Sequence, residues 1–175
     1  MLRAEEAWRP GIRLSREVAV DMSADSLAAA LEWEHHEIDD GIAAFTVAPG
    51  DPQPLVRAIR ALRRHIYLEE EILFPLLHQA EPALGAPLFV MLREHAQIWA
   101  LLDSLERDLD GAAANPALSR QLSSHLLHHN LKEEKVLYPR ADELLPATAA
   151  DRLRNFLDAG AMPEDWVCFK ARPQQ

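Results

Sequence analysis

HIYLEEEILFP runs from His65 to Pro75, and HNLKEEKVLYP runs from His129 to Pro139. The two stretches place His, Glu-Glu, Leu and Pro at the same offsets, with an aromatic residue before each Pro. Residues four apart on an α-helix are neighbours on one face, with Cβ atoms about 5–6 Å apart. His65–Glu69 and His129–Glu133 therefore read as two copies of one paired device. Glu34-His35-x-x-Ile38 and Glu94-His95-x-x-Ile98 are a second repeated pair, with Leu31 and Met91 one turn earlier. The order of the four pieces reads as a duplicated helical hairpin.

Outward from these stretches the chain is punctuated by PGDPQP (49–54), EPALGAP (81–87) and DGAAANP (110–116). The segments between are rich in Leu, Ala, Glu and Arg at helical spacing. They predict helices over about 24–47, 54–78, 84–110 and 116–145. Ser23 or Asp25 is the expected N-cap of the first helix and Asn115 that of the fourth. Pro54 suits the first turn of the second. Pro75 and Pro139 each remove a backbone donor, so each should kink or end its helix. ATAADRLRNFLDAG predicts a short fifth helix with Leu153, Phe156 and Leu157 on its apolar side and Gly160 closing it. No stretch reads as a strand. The expected fold is all-α: an antiparallel, up-down-up-down four-helix bundle over 24–146. An N-terminal extension covers 1–23, and the short helix and tail cover 147–175. Trp8, Trp166 and Phe169 are expected to tie the extensions down.

The 175 residues are 49% hydrophobic and 26% charged, ordinary for one globular domain. A formal net charge of −10 and pI near 5.2 argue against nucleic acid or an anionic membrane as partner. No apolar run approaches the roughly 20 residues of a membrane span, and no signal-peptide pattern opens the chain. A single cysteine, Cys168, excludes an internal disulfide or a four-thiolate cluster and favours the cytoplasm.

Phasing each helix at 100° per residue sorts the eight histidines. His35 falls with Leu31, Ile38 and Ile42, while His36 joins a polar face with Glu32, Asp39 and Asp40. His65 and Glu69 fall with Ala58, Ala61, Ile72 and Leu76, leaving Glu70 and Glu71 rotated outward. His95 falls with Leu88, Met91, Trp99 and Leu102. His129 and Glu133 fall with Leu118, Leu122 and Val136, with His125 close to that line. His128 is off it, and His78 points away. The midpoints between successive His levels fall at residues 51, 81 and 113, all in the breaks, so the six side chains should meet in one layer. Two buried carboxylates require cations. Lys132 only borders the fourth helix's apolar stripe, and no other inward Lys or Arg is evident. A mixed imidazole and carboxylate set without thiolate suits iron or manganese, with zinc possible. Six ligands exceed a closed tetrahedral zinc site and fit a two-metal centre.

With these residues in view, the chain resembles the hemerythrin-like, or HHE cation-binding, family, whose pattern is H…HxxxE…H…HxxxE on four helices. The resemblance covers about Leu27 to Leu145 and matches His35, His65, Glu69, His95, His129 and Glu133. It implies a non-haem di-iron site with two bridging carboxylates and an oxo or hydroxo bridge. It also implies O2, NO or peroxide as the small ligand, in redox or nitrosative-stress handling. Oxygen-carrying members have a second His where this chain has Trp99, and a shorter, differently spaced acid where it has Glu133. His125 could compensate as an extra ligand, or be a polar residue above the site. Trp33, Trp99, Leu102 and Ile72 are expected to wall the ligand site. An iron or oxygen sensor, or an iron-centre repair protein, is the alternative. The paired cysteines of repair members have no counterpart here, nor is there room for a sensor's ubiquitin-ligase adaptor module. No protein partner is assigned.

Overall fold

The computed structural model describes residues 26–110 and 116–172, and every regular element among them is helical. Helix α1 spans Leu27–Val47 and α2 spans Gln53–Leu68. A five-residue π-turn, Glu69–Leu73, joins α2 to α3, Phe74–Ala80. A 3₁₀ turn at Pro82–Leu84 leads into α4, Gly85–Asp110. Helix α5 spans Pro116–Lys132, and a second π-turn, Glu133–Leu137, joins it to α6, Tyr138–Leu144. Helix α7 is Ala147–Ala159. Helix α1 packs against α2, α5, α6 and α7, and α4 packs against α5 and α2.

Local chemistry explains the ends. The Ser26 hydroxyl oxygen accepts the Ala29 N–H at 3.3 Å, making Ser26 the N-cap of α1. Asp142 on α6 reinforces it, accepting from the Ser26 hydroxyl at 2.5 Å and the Leu27 N–H at 2.8 Å. A carboxylate at a helix N-terminus meets the positive end of the dipole. The caps expected at Ser23, Asp25 and Asn115, and the extension carrying Trp8, lie outside the described residues. Gly160 follows α7 as expected, but with φ −70°, so no left-handed turn is involved. Its need for glycine is contact: a Cβ there would lie 2.2 Å from Cδ2 of Phe156.

Neither proline ends its helix. Pro75 and Pro139 sit in the first turns of α3 and α6, directly after the π-turns. A residue without an N–H interrupts the i→i−4 ladder, and the wider i→i+5 turn absorbs the interruption. Phe74 N–H donates to the Glu69 carbonyl and Tyr138 N–H to the Glu133 carbonyl, each five residues back.

The apolar core falls into two clusters. One contains Leu27, Leu31, Leu68, Leu73, Phe74, Leu77, Met91, Leu137 and Tyr138. The other contains Ile38, Ile42, Phe45, Leu62, Ile66, Ile98, Trp99, Leu102 and Leu126. Along each helix the switch between clusters comes at a buried His: His35, His65, His95 or His129. A polar layer thus lies between two apolar ones. Among the described residues no helix is long and apolar enough to cross a membrane.

Candidate metal centre

The π-turns aim the acids. Glu69 and Glu133 open them and are both fully buried. Each lies one turn after its histidine, so its carboxylate stays on the His face while the chain beyond is rotated. His65 Nε2 is 3.5 Å from Glu69 Oε1, and His129 Nε2 is 3.1 Å from Glu133 Oε1.

The six expected residues form two groups that share both carboxylates. One is His35, His65, Glu69 and Glu133, and the other is Glu69, His95, His129 and Glu133. In each group the ligand atoms lie within 4.8 Å of one another. Glu69 turns Oε1 toward His65 and Oε2 toward His95, the latter at 3.2 Å. Glu133 turns Oε2 toward His35 at 3.5 Å and Oε1 toward His95 and His129. One oxygen per side is the disposition of a carboxylate that spans two cations.

Each histidine is fixed at its other nitrogen by a carboxylate from a different helical segment. Nδ1 of His35 meets Glu134 at 3.0 Å and Nδ1 of His65 meets Glu34 at 2.7 Å. Nδ1 of His95 meets Glu70 at 2.9 Å and Nδ1 of His129 meets Glu94 at 3.1 Å. The pairs close a ring through the four segments. A carboxylate at Nδ1 holds the proton there and leaves the Nε2 lone pair for a cation. Glu34 is anchored by Arg64, and Glu94 by Lys132. Glu70 was expected to face solvent with Glu71, and this is corrected: Glu70 is buried. The π-turn begins at Glu69 and winds more slowly than an α-helix, which brings Glu70 inward; Glu71 stays exposed.

This layer is poorly satisfied by protein alone. Glu69 Oε2, Glu133 Oε1 and His95 Nε2 are buried without a hydrogen-bond partner. Nε2 of His35 and Nε2 of His65 face each other at 3.0 Å, both set by their Nδ1 partners to present lone pairs. Without a cation, protons must fill the gap. Burial depresses His65, yet Glu69 and Glu34 override it and carry it up to about 10. His95 and His129 are likewise raised by the carboxylates against the effect of burial. His35 is lowered, by burial and then by the neighbouring His65. Glu69 would be raised by burial, but His65 and His95 hold it well below the usual carboxylate range. A divalent cation in each group would replace those protons, so the donor set fits metal.

Phasing missed Tyr138. Its ring is fully buried, and its hydroxyl donates to Glu69 Oε1 at 2.8 Å. The same oxygen lies 2.9 Å from His35 Nε2 and 3.1 Å from His65 Nε2. Burial and the two carboxylates push its phenol well above the ordinary value. At 100° per residue a position five after Glu133 points elsewhere, whereas in a π-turn it returns to the same face. The signal available in sequence was the proline at 139. The same shift exposes Val136, expected inward, and buries Leu137.

Other expectations need correction. His125 is exposed and belongs to neither group. It lines a cavity of about 210 Å3 with Glu94, Ile98, Ser124, His128 and His129, the last of which belongs to the second group. Trp33 is 54% exposed and walls nothing. Trp99 is buried, under the Arg63 guanidinium and edge-on to Trp166 at 5.4 Å. Trp166 does tie the tail, also meeting Tyr67 edge-on and donating to Glu71 at 2.7 Å. The Phe169 side chain is half-exposed, and its backbone N–H makes the attachment, to Glu70 at 2.7 Å.

No curated protein and no solved structure matches the chain. The family described as hemerythrin HHE cation binding domain matches residues 26–141. That span holds all six expected ligands, their four Nδ1 carboxylates and Tyr138. The chain belongs to the hemerythrin HHE cation-binding domain family.

Proposed function

We propose that residues 24–146 form an antiparallel four-helix bundle holding two non-haem iron ions, and that the centre binds or reacts with O2, NO or peroxide. His35, His65, His95 and His129 would be terminal ligands and Glu69 and Glu133 the bridges. The observation that carries this reading is the division of each carboxylate, one oxygen toward each histidine pair. Iron in such a site would supply ligand binding and one-electron chemistry. The chain's own part is to orient the imidazoles through Glu34, Glu70, Glu94 and Glu134 and to keep bulk water out with the flanking apolar clusters. The cavity beside His129 offers small molecules a way in. Metal analysis with optical spectra of anaerobic and air-exposed protein tests the proposal. Two irons per chain, and a spectral change of the ferrous protein with O2, NO or H2O2, are expected. A single iron, or no response to any of the three, would overturn it.

One observation favours an iron or oxygen sensor as a second reading. Glu70 holds His95 with Oε1, which also accepts from Cys168 Sγ at 3.2 Å, while its Oε2 accepts the Phe169 N–H. A change at the second group would reach the tail through one side chain. Proteolysis of the tail that differs between metal-free and iron-loaded protein would favour the sensor.

A further inference from the structure

The histidines, the two inward acids and the Nδ1 carboxylates repeat between the two halves of the site, but the ring before each proline does not. Phe74 precedes Pro75 in the first half, and Tyr138 precedes Pro139 in the second. Both rings pack on a histidine of the layer: Phe74 on His95 with centroids 5.6 Å apart, Tyr138 on His35 at 5.4 Å. Only Tyr138 brings an oxygen.

That oxygen sits at ligand spacing. It lies 2.8 Å from Glu69 Oε1, 2.9 Å from His35 Nε2, 3.1 Å from His65 Nε2 and 3.4 Å from Glu133 Oε2. These four atoms come one from each residue of the first group. Adjacent donors around an octahedral cation with bonds of about 2.0–2.1 Å are about 3 Å apart. The hydroxyl thus stands where a fifth vertex of the same polyhedron would be. We propose that Tyr138 is a fifth protein ligand to the first cation, so that the two metal positions are chemically unequal. On ligation the phenol oxygen forms the bond to the cation and its proton passes to solvent, with no change of oxidation state.

The second position keeps four protein donors, faces the unreactive ring of Phe74, and is the one that His129 connects to the cavity. An exogenous ligand is therefore directed to the second metal, while the first, with one protein donor more, is biased toward the ferric state by a hard anionic oxygen. The inference rests on the two-cation reading above.

The test loads metal-free wild type, Tyr138→Phe and Tyr67→Phe with ferrous iron, counts the iron, and then admits air. The chain has two tyrosines, and Tyr67 stacks between Phe156 and Trp166, away from the layer. Wild type and Tyr67→Phe are expected to develop a visible phenolate-to-iron(III) band with tyrosine ring modes enhanced in the Raman spectrum. Tyr138→Phe, which keeps the ring, should lose the band while retaining iron and helicity. A wild type without the band, or a band unchanged in Tyr138→Phe, overturns the ligand assignment. Fewer than two irons with the band intact would remove the two-ion reading instead and leave Tyr138 as a ligand.

Discussion

At Glu69 and Glu133 a single side chain belongs to both groups of the site, so under the proposed two-metal reading truncating either should cost both metals rather than one. Glu69→Ala and Glu133→Ala are each expected to abolish or severely reduce iron binding, measured as metal per folded chain. Glu71→Ala should leave it unchanged, because Glu71 is exposed and its carboxylate bonds, among the described residues, to Trp166 and Arg172 of the tail. Glu70→Ala falls between them. It frees His95 Nδ1 and removes the Cys168 and Phe169 contacts of the tail, and loss of such a partner behind a ligand typically weakens metal affinity by about 10–100-fold. A competition titration against a chelator would measure this, and an affinity equal to wild type would remove Glu70 from the site. The inward His and the paired Glu of each HxxxE were readable from periodicity. Their Nδ1 partners were not, because each reaches across from another helical segment. The visible trace was a Glu beside four of the six: Glu34-His35, Glu69-Glu70, Glu94-His95 and Glu133-Glu134.

The π-turns decide what each helix presents beyond its acid. Before Glu69 and Glu133, α-helical phasing places His65 and His129 correctly. After them, the wider turn adds a residue to the face, which brings in Glu70, Leu137 and Tyr138 and turns Val136 out. Proline marks where the ladder breaks, but sequence alone does not say whether a helix stops, kinks or widens there. Where helices approach closely the constraint is steric. A Cβ at Gly41 on α1 would lie 3.0 Å from Ala58 Cβ and 3.1 Å from the Pro54 carbonyl of the α2 N-terminal turn. Gly41→Ala is expected to destabilise the protein by about 1–3 kcal/mol through forced separation of α1 and α2. Urea unfolding followed by circular dichroism would check it, and an unchanged midpoint would contradict the contact.

At the scale of the molecule, the two apolar clusters hold a polar layer that must be neutralised. In metal-free protein His65 is raised from about 6.5 in the unfolded chain to about 10. Its contribution to stability is full below about pH 6.5 and is lost as pH rises through 10. Glu69, held low by His65 and His95, contributes above the ordinary carboxylate range and loses its effect as pH falls. Metal-free protein should therefore be most stable in mildly acidic solution, with its melting temperature declining from pH 7 to 10. Iron-loaded protein should show a flatter profile over that range, since cations replace the protons. Loading at pH 7 should also release protons into a weakly buffered solution. Parallel melting curves for the two forms would contradict this account.

Residue type and spacing were enough to settle the all-helical class, the helix limits to within a few residues, and the buried six. An inward imidazole or carboxylate announces itself by sharing a 100° stripe with Leu and Ile. What depended on the folded chain was everything set by contacts between segments or by non-α winding. That includes the orientation of each imidazole, the burial of Glu70, the exposure of His125, and the burial of the Tyr138 hydroxyl beside the layer. A periodic reading assumes one constant turn, and this chain changes its turn at the two residues shared by both groups of its site.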